Sequence, residues 1–162
     1  MKESEVEEII RNYIEKIYFP KGWKYPKKNN LTKKTAEHGA DIIIYNQKKG
    51  DYILIEVKKW SKNNAANHNS FYYLFGQLIS RIKIKPSKIY QKRKKMVIAV
   101  PTSFVKLIHK KIHNIKNGQQ KGMEGGWILF SEAINLRIWS VDLRSKDIKE
   151  YHWKEFLKKD LF

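Results

Sequence analysis

Hydrophobic residues along this chain follow two patterns, and each pattern predicts a different kind of element. Apolar residues spaced three and four apart predict amphipathic helices over Ser4 to Ile17, about Ser70 to Ile84, and Ser103 to about Ile115. Unbroken runs of β-branched and aromatic residues predict strands instead. The predicted strands are Gly22 to Tyr25, Ile42 to Tyr45, Tyr52 to Val57, Lys95 to Pro101, Trp127 to Phe130 and Leu136 to Val141, and a last helix is predicted from about Asp147 to Lys159.

The hairpin in the middle of this order ends in charged residues. Residues 46–51 have the composition of a turn, and the two strands beside them are almost wholly apolar. If the hairpin closes symmetrically about that turn, Tyr45 faces Tyr52, and Asp41 lies opposite Glu56. Directly opposed side chains on one face of a sheet have Cβ atoms roughly 5 Å apart. The pattern therefore predicts two carboxylates that meet at the open end of the hairpin.

Lys58 is predicted to join these carboxylates, because it follows Glu56 by two residues and so lies on the same face of the strand. Strands that are apolar on both faces predict a sheet covered on both sides, where opposed charges are poorly solvated. A divalent cation would relieve the repulsion, and Mg²⁺ fits best because it takes hard oxygen ligands from one or two carboxylates. Mn²⁺ is the expected substitute. The alternative is a solvated strand end at which Asp41 and Glu56 only pair with Lys58, and the pattern alone leaves both interpretations open.

Polar residues on the neighbouring helices are further candidates. Ser4 and Glu7 have capping-box spacing, and Glu7 lies beside the apolar stripe of its helix. Glu7 could therefore face the charged end of the hairpin, or it could only cap its own helix. Gln77 and Arg81 lie one turn apart beside the apolar face of the second helix, where they could contact a phosphate or orient a carboxylate. Ordinary positions at the edge of a core are the alternative for both.

The composition places the chain among globular proteins. The 162 residues are 41% hydrophobic, which suits a single domain over residues 1–162. The absence of cysteine excludes disulfides and thiolate zinc sites. No basic and apolar leader and no membrane-spanning run is present, so we expect a cytoplasmic protein, associated with the nucleoid if it binds DNA.

The net charge of +18 indicates a polyanionic partner, and we favour nucleic acid over a membrane. Part of the lysine excess is typical of AT-rich coding sequence. The charge is nevertheless clustered in two segments, one before the hairpin and one after the second helix. Solvated loops without a function are the alternative interpretation of such clusters. The candidate nucleic-acid contacts are Lys27, Lys28, Lys33, Lys34, Arg81, Lys92 and Arg93.

Three of these features together resemble a known family. Asp41, then Glu56-Val57-Lys58 after a hairpin, and then a helix with Gly76-Gln77-Leu78 look like the PD-(D/E)XK nuclease superfamily, which includes restriction endonucleases and archaeal Holliday-junction resolvases. The resemblance covers roughly Ser4 to Val100. It implies a restriction-endonuclease-like α/β fold, with an αβββαβ core around a mixed sheet, helices on both faces, and extra strands and a helix at the C-terminus.

The resemblance also implies roles for particular residues. Asp41 and Glu56 match the metal-binding carboxylates of the family, and Lys58 matches the lysine that orients or polarises the attacking water. Glu7 is similar to the glutamate on the first helix of the resolvase branch, which would make it a third metal ligand. Gln77 is similar to the glutamine that several branches carry on the following helix.

The expected function is therefore a Mg²⁺-dependent endonuclease that acts on double-stranded or branched DNA. The alternative is a non-catalytic DNA- or RNA-binding module that keeps the nuclease fold. Substrate shape, oligomeric state (monomer or homodimer) and process (restriction, recombination, repair or intron mobility) stay open. A second acidic-x-Lys triplet, Asp147-Ile148-Lys149, lies in a charged stretch near the C-terminus. We predict no apolar strand there and no partner carboxylate across a turn, and we interpret this triplet as unrelated to the site.

Overall fold

The chain folds into a six-stranded sheet with helices on both faces. The structure is a computed structural model and describes residues 3–26, 41–61, 63–80, 94–117, 135–158 and 161–162. A short 3₁₀ turn, Phe19–Lys21, follows the first helix. In chain order the elements are α1 (Glu3–Ile17), β1 (Trp23–Lys24), β2 (Ile42–Asn46), β3 (Asp51–Val57), α2 (Asn64–Ser80), β4 (Lys94–Pro101), α3 (Thr102–Asn117), β5 (Leu136–Val141), β6 (Ile148–His152) and α4 (Trp153–Phe156).

The strands lie side by side in the order in which they occur along the chain. The pairs β1–β2, β2–β3 and β5–β6 are antiparallel. The pairs β3–β4 and β4–β5 are parallel, and α2 and α3 provide the connections that parallel pairing requires. The predicted α/β class, with a mixed sheet and extra strands after β4, is confirmed.

The helix α1 covers one face of the sheet. Its residues Val6, Ile10 and Ile14 are completely buried, as the spacing of apolar residues predicted. These three residues belong to a core cluster that also contains strand residues. Along each strand, every second side chain points into this cluster, and the side chains between them point to the other face of the sheet. The strand residues of this cluster are Trp23, Ile42, Ile44, Ile53, Ile55, Val57, Val97, Ala99, Trp139 and Val141.

Polar contacts attach α1 to the far edge of the sheet. The hydroxyls of Tyr13 and Tyr18 both donate to Oε1 of Glu150 on β6, at 2.8 and 2.7 Å. Nη1 of Arg137 lies 3.5 Å from the other carboxylate oxygen. Burial raises the pKa of both tyrosines, and the hydrogen bonds to Glu150 raise it further. The two rings also pack on Trp139, which joins this polar cluster to the core.

The helices α2, α3 and α4 cover the other face. Leu54 and Ile98 are strand residues of this second cluster, and Trp60 packs against it from the segment after β3. The helical residues of the cluster are Phe71, Leu74, Phe75, Leu78, Phe104, Val105, Ile108, Ile112, Trp153 and Phe156. The two clusters together account for the burial on both faces that the apolar strands predicted.

Two helix boundaries differ from the prediction. α2 begins at Asn64, several residues before Ser70, because the side chain of Asn63 accepts hydrogen bonds from the backbone amides of Ala65 and Ala66. α3 begins at Thr102, so Ser103 lies inside the helix and is not its cap.

The prediction of a helix from about Asp147 to Lys159 was wrong. Residues 148–152 form the edge strand β6, and only Trp153–Phe156 is helical. Asp142 nucleates the turn between β5 and β6 by accepting hydrogen bonds from the backbone amides of Arg144 and Ser145. Pairing with β5 then holds the charged segment extended.

Some predictions fall outside the described residues, among them the strand from Trp127 to Phe130. Within the part of the chain that the structure describes, no helix is long and apolar enough to cross a membrane.

Candidate active site

The hairpin β2–β3 brings Asp41 and Glu56 together in the predicted register. Tyr45 pairs with Tyr52, and Ile42 pairs with Ile55, so the next step along the ladder sets Asp41 beside Glu56. Asp41 lies just before β2, and its Oδ2 accepts a hydrogen bond of 2.7 Å from the backbone amide of Val57. This bond closes the open end of the hairpin and fixes the orientation of the aspartate carboxylate.

Glu56 is a buried carboxylate that pairs with Lys58. Its residue is 1% exposed, although it carries a charge. Nζ of Lys58 donates to Oε1 of Glu56 at 3.0 Å, and the lysine side chain is 16% exposed. Burial of such a pair removes hydration from both ions, and this loss offsets most of their attraction. The pair is therefore a weak source of stability, and its presence in the core calls for a reason other than folding.

The three charged residues lie where an open α/β sheet usually binds its ligand. β3 and β4 run parallel, and Lys58 follows the last residue of β3. The backbone amide of Lys58 donates to the carbonyl of Ala99 at 3.2 Å, so the lysine is held beside β4. The carboxyl ends of parallel strands are the common place for ligands in such sheets. Because side chains alternate, Glu56 lies on the same face as Leu54, beneath α2 and α3.

Asn67 anchors the segment that follows Lys58. This side chain is 1% exposed. Its Oδ1 accepts from the backbone amide of Ser61, and its Nδ2 donates to the backbone carbonyl of Ser61, both at 2.8 Å. The amide therefore locks the loop after β3 onto the first turns of α2. Asn67 was not among the predicted site residues, because the second helix was predicted to begin only at about Ser70.

Glu7 lies on the opposite side of the sheet from Glu56. It belongs to α1, whose buried residues pack with Ile55 and Val57, on the face that Glu56 does not share. Its Oε2 lies 3.7 Å from Nη2 of Arg11, one turn along the same helix. Partly exposed pairs of this kind contribute about 0.3–0.5 kcal/mol. In the structure Glu7 therefore pairs within its own helix, and its role as a third metal ligand stays a prediction.

Gln77 lies on α2, on the same side of the sheet as Glu56. It is half-buried, with its amide oxygen inside the protein. Its neighbours Leu74 and Leu78 are core residues.

The predicted nucleic-acid contacts are outside the described residues, and they are Lys27, Lys28, Lys33, Lys34, Arg81, Lys92 and Arg93.

The second acidic triplet has more strand character than predicted. Lys149 lies on β6, and Asp142 is next to Asp147 across the hairpin turn, where its backbone amide donates to the carbonyl of Asp147 at 2.9 Å. Strand context alone therefore does not separate this triplet from the one at Glu56. Burial does, because Asp142, Asp147 and Lys149 are all exposed. Hydrogen bonds from the backbone amides of Ser145 and Arg144 hold the pKa of Asp142 below its usual value, as expected for a turn residue.

A surface depression of about 800 Å³ lies at the other end of the hairpin. Residues before and within β1 form one side, and the β2–β3 turn forms the other. Its position does not coincide with Asp41 and Glu56. The depression is lined by Phe19, Pro20, Lys21, Gly22, Trp23, Lys24, Gln47 and Lys48.

The donor set at the charged end of the hairpin fits Mg²⁺. Asp41 and Glu56 offer hard carboxylate oxygens, and Mg²⁺ is commonly held by one or two carboxylates with several waters. Within the described ranges, no group of three or more His, Asp or Glu side chains is arranged to hold a metal ion. Two carboxylates, one just before β2 and one on β3, are thus what these residues supply.

Comparison of the chain with protein-family profiles, with curated proteins and with solved structures finds no match. The functional interpretation therefore depends on the geometry of the site and on the distribution of charge.

Proposed function

We propose that this protein is a metal-dependent endonuclease that hydrolyses DNA phosphodiester bonds. The observation that carries the proposal is the meeting of Asp41, Glu56 and Lys58 at one end of β2 and β3, with the Glu56 carboxylate buried. A buried acid beside a strand-end lysine adds little to stability but gives fixed charges near a reacting phosphate. The arrangement also supports, as a proposal, membership of the PD-(D/E)XK nuclease superfamily.

Asp41 and Glu56 would hold the metal. The bond from the amide of Val57 fixes one oxygen of Asp41 and so orients this carboxylate before any ligand binds. When bound, Mg²⁺ would stabilise the negative charge that develops on the scissile phosphate and would lower the pKa of water at the site. Glu7 and Gln77 remain candidate contributors, Glu7 as a further ligand and Gln77 as a residue that orients Glu56 or the phosphate.

Lys58 would position the attacking water. Its ammonium lies 3.0 Å from Glu56, so it is held in place on a rigid strand end. An ammonium has three donors, and one bond to Glu56 leaves capacity for a water and a phosphate oxygen. The fixed positive charge then lies where negative charge grows in the transition state. Its removal should slow the chemical step more than it weakens DNA binding.

The charge of the whole chain supports a nucleic acid as substrate. The net charge is +18, and lysines in the segments before β2 and before β4 would contact the phosphate backbone without reading sequence. Binding should therefore weaken steeply as salt is raised. A non-catalytic nucleic-acid-binding module would share this behaviour, and the Glu56–Lys58 ion pair is compatible with it. The two functions differ in whether bound DNA is cut.

The test is incubation of the protein with supercoiled, linear and four-way-junction DNA, in Mg²⁺ or in chelator. We expect cleavage in Mg²⁺, cleavage also when Mn²⁺ is supplied in place of Mg²⁺, and no cleavage in chelator. Asp41→Ala and Lys58→Ala should abolish cleavage and retain salt-sensitive binding. Cleavage that survives chelation or either substitution would exclude the proposed mechanism. Binding of every DNA without cleavage of any would favour the non-catalytic module.

A further inference from the structure

Among the described residues, the long helices on the two faces of the sheet differ in charge. α1 has five glutamates (Glu3, Glu5, Glu7, Glu8 and Glu15) against Arg11 and Lys16. On the other face, α2 contains no charged residue at all. The charged residues of α3 are all lysines, and they are Lys106, Lys110, Lys111 and Lys116. A polyanion would therefore approach the face formed by α2 and α3, which is also the side of the sheet on which Glu56 lies.

Large apolar side chains are exposed on that face. Tyr72 is 63% exposed, Tyr73 is 67% exposed, and Ile79 is 56% exposed. Tyr72 and Ile79 are seven residues apart, so they lie on one side of α2 two turns apart. The other exposed large apolar residues in the described part of the chain are Leu143 and Phe162, and both are less open to solvent. The exposed surface of α2 is therefore the main aromatic patch among the described residues.

A glycine opens a recess between these side chains. Gly76 lies three and four residues after the two tyrosines and three before Ile79, so it is their neighbour on the helix surface. Apart from its two chain neighbours and the nearby backbone of its own helix, no atom of the described residues lies within 4 Å of where a Cβ of Gly76 would be. A glycine inside a helix lowers its stability relative to alanine, and packing among the described residues gives no reason for a glycine here. The recess leaves room for a flat group between the two rings and the isoleucine.

A cation lies beside one of the two tyrosines. Nζ of Lys111 on α3 is 4.3 Å from the centre of the Tyr72 ring and 4.9 Å from the centre of the Phe71 ring. Aromatic rings with an adjacent cation match the chemistry of a nucleotide, whose base stacks on a ring and whose phosphate pairs with an ammonium. A second copy of this chain fits less well, because the lysines of two such faces would repel each other.

We propose that Tyr72, Tyr73 and the recess at Gly76 form a stacking platform for unpaired bases, with Lys111 as its phosphate contact. The preferred nucleic acid would then contain a single-stranded segment, because the bases of an intact duplex are stacked on each other and cannot lie on a protein surface. The choice of a nucleic acid as ligand rests on the proposed function. The platform itself is a binding surface and does not require that the strand is cut.

The test compares the affinity for labelled oligothymidylate with that for a mixed-sequence duplex, by fluorescence anisotropy in chelator. Tyr72→Ala/Tyr73→Ala should weaken oligothymidylate binding by about ten- to a hundredfold and leave duplex binding nearly unchanged. Tyr72→Phe/Tyr73→Phe keeps the rings and should retain the affinity. The matched control is Leu143→Ala, which removes an exposed apolar side chain from the β5–β6 turn.

A second variant separates binding from folding. Gly76→Gln fills the recess with a residue that favours helix, so it should raise the unfolding midpoint and still weaken oligothymidylate binding. Equal loss of affinity for oligothymidylate and duplex in Tyr72→Ala/Tyr73→Ala would overturn the proposal. So would unchanged oligothymidylate binding in both variants, or a dimer that the tyrosine substitutions convert to monomer without loss of this binding. Oligothymidylate binding without cleavage of any DNA would refute the proposed nuclease but not the platform.

Discussion

A double substitution, Glu56→Gln with Lys58→Met, removes both charges at the end of the hairpin and keeps both side chains close to their native length. At 3.0 Å the attraction between Nζ and Oε1 is about 5 kcal/mol for an effective dielectric constant near 20. Against this, burial removes hydration worth several kcal/mol from each ion. The glutamate is 1% exposed and bears its full share of that cost, whereas the lysine is 16% exposed and bears less. The two effects nearly cancel.

We therefore expect the free energy of unfolding of the double variant to lie within about 1 kcal/mol of the wild-type value, or above it. Lys58→Met alone should cost about 2–4 kcal/mol, because it leaves a buried carboxylate without its cation. Glu56→Gln alone should cost less, because the lysine can turn toward solvent. The measurement is urea unfolding in chelator, followed by tryptophan fluorescence, with the free energy taken from linear extrapolation.

The stability of the double variant bears on the function of the ion pair. A pair that contributes nothing to stability, yet whose loss abolishes DNA cleavage, is retained for chemistry. A double variant destabilised as much as Lys58→Met would refute the reasoning, since the pair would then be a structural bridge. In that case the interpretation of Asp41, Glu56 and Lys58 as a strand-end ion-pair cluster would be the better one.

Two further predictions concern the loop after β3 and the attachment of α1 to the sheet. Asn67→Ala should cost about 2–3 kcal/mol in urea unfolding, because it leaves the backbone amide and carbonyl of Ser61 without partners, whereas the exposed Asn69→Ala should cost almost nothing. Equal costs would show that Asn67 does not lock the loop. The pKa values of Tyr13 and Tyr18 are raised above the ordinary 10.0 in the folded state, so stability should fall as pH rises above about 10, when the unfolded chain ionises first. Tyr13→Phe/Tyr18→Phe should lose less stability over that range in urea titrations, and identical pH slopes would contradict the assignment.

The hairpin and its charged end could be predicted because the information is local. The turn composition around Gly50 and symmetric closure fix the register, and alternation then fixes which side chains share a face. The same reasoning predicted the buried stripe of α1. Neither prediction required knowledge of how distant elements pack.

The misplaced elements depend on contacts that are distant in sequence or were not recognised. β6 carries Lys149 and Glu150, which are not typical strand residues, and it is extended because it pairs with β5. Helical periodicity showed which side of α1 is apolar, but it could not show which face of the sheet α1 covers. For that reason a position of Glu7 beside Glu56 stayed open as one of two alternatives, and the helix of Glu7 lies across the sheet from Glu56. α2 begins early because the side chain of Asn63 caps it. Asparagine is common both at helix caps and in loops, so the residue type alone does not show which of the two it forms.

The measurement that tests the central claim most directly is the single-turnover rate of plasmid nicking in saturating Mg²⁺. Asp41→Asn and Lys58→Ala should each lower this rate by at least about a hundredfold at a temperature where both remain folded. The matched control is Lys149→Ala, which removes the lysine of the exposed triplet on β6 and should leave the rate unchanged. Nicking at the same rate in all four proteins would contradict the account. Loss of nicking in Asp41→Asn and Lys58→Ala alone is the result that it predicts.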